Sequence, residues 1–248
     1  MTPTGFAGLG IVALVSFFIA LLAFIHRRSP FSFRNIRAFS RIRRAASLVV
    51  EDGTRLHVAL GNGSVLTPAG ASALAGLALL RRLGEVTSLS DRPPVATTGS
   101  GLLNLLAQDT LRAAHNTVAV DHAFDMNNAR ITGFTPLAYV AGVMPAIRDE
   151  SISSNVLIGN FGPEVGLLTE SADRQNANVI AASDNLTAQA VLYAASSEPL
   201  IGEELFAAGA YLQAGASHSA SLLVQDILRW FIILALLAGP ALKMAGVL

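Results

Sequence analysis

Residues 155–195 read NVLIGNFGPEVGLLTESADRQNANVIAASDNLTAQAVLYAA, and the order of types along them decides the fold. Asn155–Ile158 is a short apolar run. It passes through the turn-forming stretch Gly159-Asn160-Phe161-Gly162-Pro163 into a helical pattern ending near Arg174. The cycle repeats: Asn178–Ala181, then Ser183-Asp184-Asn185, then a helix from Leu186 to Ala195. Strands that alternate with helices of ten or more residues are βαβ units, whose strands lie parallel in one sheet. The expected fold is therefore α/β, a Rossmann-like domain with a mainly parallel sheet.

Upstream the same grammar holds. Val95–Thr98 leads through Gly99-Ser100-Gly101 into a helix from Leu102 to Ala114. Thr117–Val120 and Arg130–Thr132 are short strand candidates, and Thr135-Pro136 opens a helix to Ile147. That helix is too short for a membrane span, so it reads as a buried one. Thr67-Pro68 supplies an N-cap and a first-turn proline for a helix over 69–82, with Gly84 as its stop. Leu48-Val49-Val50, Asp52-Gly53 and Leu56, Val58, Leu60 read as a β-hairpin on an Asp-Gly turn. Glu198-Pro199 reads as the opening of a final helix.

Further out, both ends turn apolar. Phe6–Ile25 has no charge, and thirteen of its twenty residues are Leu, Ile, Val or Phe. On an insertion scale they contribute roughly −4 to −8 kcal/mol, enough for a spanning helix. A cleaved signal peptide needs a cation before the apolar run and small residues after it. Here Met1–Gly5 carries neither Lys nor Arg, and the run ends in His26-Arg27-Arg28. A second span is expected within 222–248, where Phe231–Ala241 is uncharged and Trp230 suits the interface. The resulting division is 1–26 and 222–248 as transmembrane helices, 27–45 as a basic juxtamembrane segment, and 46–221 as the α/β domain.

Charge is segregated within a net of zero: residues 27–44 hold seven arginines and no acid, whereas 45–223 hold eight arginines and sixteen acids. An acidic domain argues against nucleic acid as a partner. Arg229 adds to the domain side and Lys243 alone lies beyond the second span, so the positive-inside rule puts the domain in the cytoplasm and both termini outside. Phe33, Ile36, Phe39 and Ile42 recur every third residue between Arg34, Arg37, Arg41 and Arg44. On a helix this makes an apolar stripe beside a cationic one, read as an interfacial helix whose basic collar faces lipid.

The chain has no cysteine, which removes thiolate chemistry, and its one lysine, Lys243, precludes a Walker-type loop. No catalytic motif, metal-ligand spacing or cofactor fingerprint is present; Gly159-x-x-Gly162-x-x-x-Gly166 lacks the first glycine pair of GxGxxG. His115, Asp121, His122 and Asp125 cluster in sequence but match no ligand pattern. The candidate ligand-binding residues are Thr97, Thr98, Gly99, Ser100, Asn160, Gly162, Ser183 and Asp184, because strand-to-helix loops of a parallel sheet share one edge. Ser, Asp and Asn there also serve as ordinary helix caps.

Ala207–Ala210 and Ala214–Ala216 are small-residue stretches suited to close helix packing. The expected function is a membrane-anchored, non-enzymatic scaffold or assembly subunit. Its partners would be the lipid bilayer, further copies of itself, and a membrane or cytoplasmic protein. The alternative is a tethered sensor or enzyme binding a small anion such as a nucleotide at the glycine-loop edge.

Overall fold

The computed structural model describes residues 3–28, 33–67, 70–118 and 123–244. Pro68 lies outside them, as do Ala119 and Val120, the second half of the proposed strand Thr117–Val120; Thr117 itself closes a helix. The chain forms two compact units, residues 34–214 and residues 1–33 with 215–248.

The terminal unit consists of α1 (Pro3–Arg28) and α9 (Ala216–Met244), which pack on each other. At 1.5 Å per residue these 26 and 29 residues make helices of about 39 and 44 Å, longer than a bilayer core of roughly 30 Å. Their apolar windows, Gly8–Arg27 and Ala216–Pro240, have mean hydropathies of 2.7 and 1.9 and are 0% and 6% buried. Both are long and apolar enough to cross a membrane. Helix α9 runs through Pro240 without ending.

The central unit opens with α2 (Arg37–Glu51), then β1 (Arg55–Gly61), α3 (Gly70–Thr87), β2 (Val95–Thr98) and α4 (Gly101–Thr117). A short 3-10 turn, Met126–Asn128, precedes β3 (Ala129–Ile131) and α5 (Pro136–Asp149). There follow β4 (Ile152–Asn160), α6 (Val165–Asp173), β5 (Asn178–Ser183), α7 (Leu186–Ala195), β6 (Glu198–Leu200) and α8 (Glu204–Tyr211). The six strands form one sheet in the order β3-β2-β1-β4-β5-β6, and every pair is parallel. Parallel strands covered on both sides need apolar residues at successive positions. Accordingly Ala59, Leu157, Val179 and Ala181 meet α5, α6 and α7, while Leu60 and Ile158 meet α3 at Gly76. The fold is a three-layer, Rossmann-like α/β domain.

Four local expectations are corrected. Leu48–Val50 belongs to α2, not to a hairpin strand. Phe39, Ile42, Ala46 and Val49 continue a helical period, and all are buried. Gly53 then ends the helix at φ +61, with Thr54 N–H donating to Val49 O at 3.1 Å.

The apolar stripe of α2 does not face lipid. It packs on α3 and on β1, β4, β5 and β6, and the Phe39 ring stacks on Tyr211 at 4.7 Å. The compact unit begins at Arg34 and takes in α2, because this stripe completes one layer of its core.

Gly84 does not stop α3. The helix continues to Thr87, and the missing side chain admits α4: a Cβ on Gly84 would lie 3.1 Å from Ala114 Cβ and 3.2 Å from Leu111 Cδ2. Finally, Glu198-Pro199 is an edge strand and not a helix start, a place where proline costs no ladder bond.

Candidate functional site

The strand order reverses between β1 and β4: from β1 the chain winds outward to β2 and β3, and from β4 to β5 and β6. In open α/β sheets ligands bind outside the carboxyl ends of the strands at such a switch point. Here β1 runs into Gly61-Asn62-Gly63, and β4 ends at Gly159-Asn160.

Two glycines allow the strands to touch at the switch. Gly61 has φ +71, and a Cβ on it would stand 2.2 Å from Asn160 O. A Cβ on Gly159, φ +156, would stand 2.1 Å from Leu60 O. Asn62 N–H donates to Asn160 O at 3.0 Å, and Gly99 N–H to Gly61 O at 2.9 Å. The Asn62 side chain covers Gly99, whose Cβ would fall 1.6 Å from Asn62 Oδ1. That oxygen is buried without a hydrogen-bond partner among the described residues.

The candidate residues divide into three groups around this point. Asn160, Ser183 and Asp184 are drawn together. Asn160 Nδ2 donates to Asp184 Oδ1 at 2.8 Å; Ser183 Oγ accepts from Phe161 N–H at 3.2 Å and donates to Phe161 O at 3.3 Å. These bonds join the β4 and β5 loops to each other. Thr98, Gly99, Ser100 and Gly162 sit at the same edge but bond locally. Thr98 Oγ1 donates to Ser100 O at 3.4 Å, Gly162 N–H donates to Glu164 Oε1 at 2.8 Å, and Ser100 makes no side-chain cap. Thr97 is turned away from the edge, into the sheet.

Thr97 belongs to a polar chain that its sequence neighbours gave no sign of. His57, at the centre of β1, is fully buried; its Nδ1 lies 2.8 Å from Asn155 Oδ1 and its Nε2 2.8 Å from Thr97 Oγ1. Thr97 Oγ1 lies 3.0 Å from the Tyr139 hydroxyl, which accepts from Gly61 N–H at 3.4 Å. Thus β4, β1, β2 and α5 are tied by one chain that ends at the switch-point glycine. Near its other end Glu150 pairs with Arg55 at 2.7 Å and with Arg130. Burial, which outweighs the Asn155 hydrogen bond, depresses His57 to about 4, and burial raises Tyr139 above the ordinary phenol value. Both groups are neutral at physiological pH.

Asp121 and His122 lie outside the described residues. His115 packs its ring against Phe124, 5.8 Å between centroids, and Asp125 Oδ1 caps the 3-10 turn by accepting Asn127 N–H at 2.9 Å.

A second feature of the carboxyl edge is apolar. Leu66 is 84% exposed, Leu186 79%, Phe134 74%, Leu137 67%, Leu105 63% and Leu102 40%. Leu105 lies in the second turn of α4, and each of the others stands in a loop or first helical turn after β1, β2, β3 or β5. The segments 61–80, 95–108 and 131–147, which follow β1, contain β2 and follow β3, carry no charged residue. Exposed side chains spread over four loops follow no single period, so the linear sequence does not reveal that they share one edge of the sheet.

A family model described as a domain of unknown function, DUF6754, matches residues 5–248. The chain belongs to the DUF6754 family. The match takes in both apolar helices and the α/β domain, so the family comprises this whole arrangement. No curated protein and no solved structure gives a significant match.

Proposed function

We propose that this member of DUF6754 is a membrane-anchored, non-enzymatic assembly subunit whose α/β domain associates with further copies of itself through its carboxyl edge. The observation that carries the reading is the apolar rim. Large exposed apolar surface on an otherwise well-packed domain marks an interaction site, and depletion of charge marks the centre of an interface. The loops after β1, β2 and β3 carry no charge, and the acids of the β4 and β5 loops, Glu164 and Asp184, accept from Gly162 N–H and Asn160 Nδ2. A two-fold contact between copies centred on the first three loops therefore meets no like charge. Because the chain has no cysteine, single Cys substitutions at Leu66, Phe134 and Leu186 can be oxidised in the membrane fraction without background. The position nearest the two-fold axis is expected to give a cross-linked dimer, and a cysteine at Leu48, on α2, is not; rim cysteines that all stay monomeric contradict the proposal.

The helices α1 and α9 act as bilayer spans in this reading, with the domain cytoplasmic and both termini outside, as the arginine-rich flanks favour. Protease added to intact cells would then spare residues 45–223. Digestion of the domain while cytoplasmic markers survive would reverse the orientation.

One observation favours a second reading, a sensor or enzyme for a small anion such as a nucleotide. The β1–β4 switch point carries Gly61-x-Gly63 and an unpartnered Asn62 oxygen. Against it, Gly61 and Gly159 bring the two strand ends into backbone contact at the place a pyrophosphate would enter. The strand β2 also ends at Thr98-Gly99, where a ribose-binding site needs an acid. The assembly reading is therefore preferred.

A further inference from the structure

The basic collar does not behave as a uniform band of cations. Arg34 pairs with Glu204 at 2.9 Å, Arg43 donates to Tyr211 O at 3.2 Å, and Arg41 pairs with Glu198 at 3.0 Å. Arg44 has no ion pair among the described residues. It lines a groove of about 290 Å³ that runs between α2 and the amino ends of β5 and β6. Arg41, Glu198, Asn178 and Ser197 line the groove as well, and Ala45, Leu48 and Val179 form its apolar wall.

Three features indicate what this groove takes. First, Arg41 and Arg44 are three residues apart on one helix face, where like charges repel. Helix α2 has no acid before Glu51 at its far end, so nothing on the helix itself balances them. Glu198 balances Arg41 alone, so one positive charge of the pair stays uncompensated. Second, Arg41 is the exposed member of its pair, its side chain 59% exposed against 19% for Glu198, so solvent screens the pair from the Arg41 side. Its guanidinium is free to turn to a stronger acceptor. Third, the donors are two planar forks, a hydroxyl and an amide, set beside an apolar wall, with Glu198 as the one charged acceptor.

We propose that this groove binds a phosphate-bearing group, with Arg41 and Arg44 as its anion ligands, Asn178 and Ser197 as neutral donors, and the wall against the group's carbon substituent. Guanidinium forks match phosphate oxygens two at a time. The same chemistry is offered by a soluble phosphate ester and by an anionic phospholipid headgroup.

The test uses the full-length protein in neutral detergent and, in parallel, in bilayer discs of phosphatidylcholine with and without phosphatidylglycerol. The probes are inorganic phosphate, at ionic strength matched with chloride, and the anionic lipid itself; the thermal midpoint is the readout. The midpoint should rise with at least one probe. A rise with inorganic phosphate in detergent indicates a soluble ester, and a rise confined to the anionic discs indicates a headgroup. Arg44→Gln should abolish the rise and Arg41→Gln should reduce it, each weakening the probe by about tenfold or more. Arg37→Gln removes the same charge from α2 outside the groove and should leave the rise intact. If Arg44→Gln lowers the midpoint in chloride alone, Arg44→Lys decides, since it keeps the charge and loses the fork; the rise should again be lost. No rise with either probe, a rise that survives Arg44→Gln or Arg44→Lys, or one equally lost in Arg37→Gln overturns the proposal.

Discussion

Gly159→Ala is expected to abolish the folded domain. The added Cβ would meet Leu60 O at 2.1 Å, and that oxygen is main chain in the central strand of the sheet, unable to move aside. The backbone at φ +156 adds strain for any side chain. Steric conflict of this kind exceeds about 4 kcal/mol, a large part of the roughly 5–15 kcal/mol that stabilises a domain. Gly53→Ala is the control. Its φ of +61 is also positive, but nothing lies within 4 Å of the new Cβ, so the cost is only the left-handed conformation, about 1–2 kcal/mol. Circular dichroism and urea unfolding of the two variants should give a denatured or aggregated protein for the first and a cooperative transition for the second. A cooperative Gly159→Ala protein with near wild-type stability would show that the β1–β4 contact is not as close as described.

The second large effect is a dependence of stability on pH carried by His57. Its folded value is lowered to about 4, while an unfolded histidine titrates near 6.5. Between these values the unfolded chain holds the extra proton, so acid favours unfolding. The stabilisation from keeping His57 neutral is fully present above about pH 6.5 and is lost as pH falls through 4. From pH 7 to pH 5 this one group should remove about 2 kcal/mol. His57→Leu should delete that slope. It should also lower stability at pH 7, because Asn155 Oδ1 loses its partner inside the sheet while Thr97 Oγ1 keeps only the Tyr139 hydroxyl, at about 1–3 kcal/mol for the orphaned group. Equal slopes for wild type and variant between pH 7 and pH 5 would mean that His57 is hydrated and not buried.

These two predictions rest on contacts that the sequence conceals to different degrees. The strands β2, β4 and β5 and the helices after them were legible, since short apolar runs, glycine turns and helix caps are local signals. Local signals mislead where two of them compete. Leu48-Val49-Val50 before Asp52-Gly53 suits both a hairpin and a helix ending on a glycine, and only burial of Phe39 and Ile42 against the sheet decides for the helix. The same burial turns a stripe that looks membrane-facing into core. Glu198-Pro199 carries a helix-start signature, yet an edge strand accepts proline equally well.

The site was less legible than the fold. That the loops of β1, β2, β4 and β5 share an edge follows from parallel pairing, but the engagement of their side chains does not. Ser183 reads as a helix cap or a ligand donor, and in the structure it staples the β4 loop to the β5 loop. Thr97 reads as a loop residue, whereas its hydroxyl joins His57 to Tyr139. The partner of His57 on β4, Asn155, is 98 residues away in sequence, and no periodicity spans such a distance. The rim is hidden for a related reason: a leucine in a first helical turn looks alike whether it points to core or to water.

The proposal that the carboxyl edge joins copies of this chain is tested most directly by the protein mass of the solubilised complex, measured for wild type and for the double variant Phe134→Ser/Leu186→Ser. Both side chains are largely exposed in the single chain, so the double variant should remain folded and lose only the stabilisation that association supplies. The account predicts a wild-type mass that is a multiple of the 25.8 kDa chain and a double variant at the mass of one chain. A wild-type protein at 25.8 kDa, or a complex that the double variant leaves intact, would contradict it.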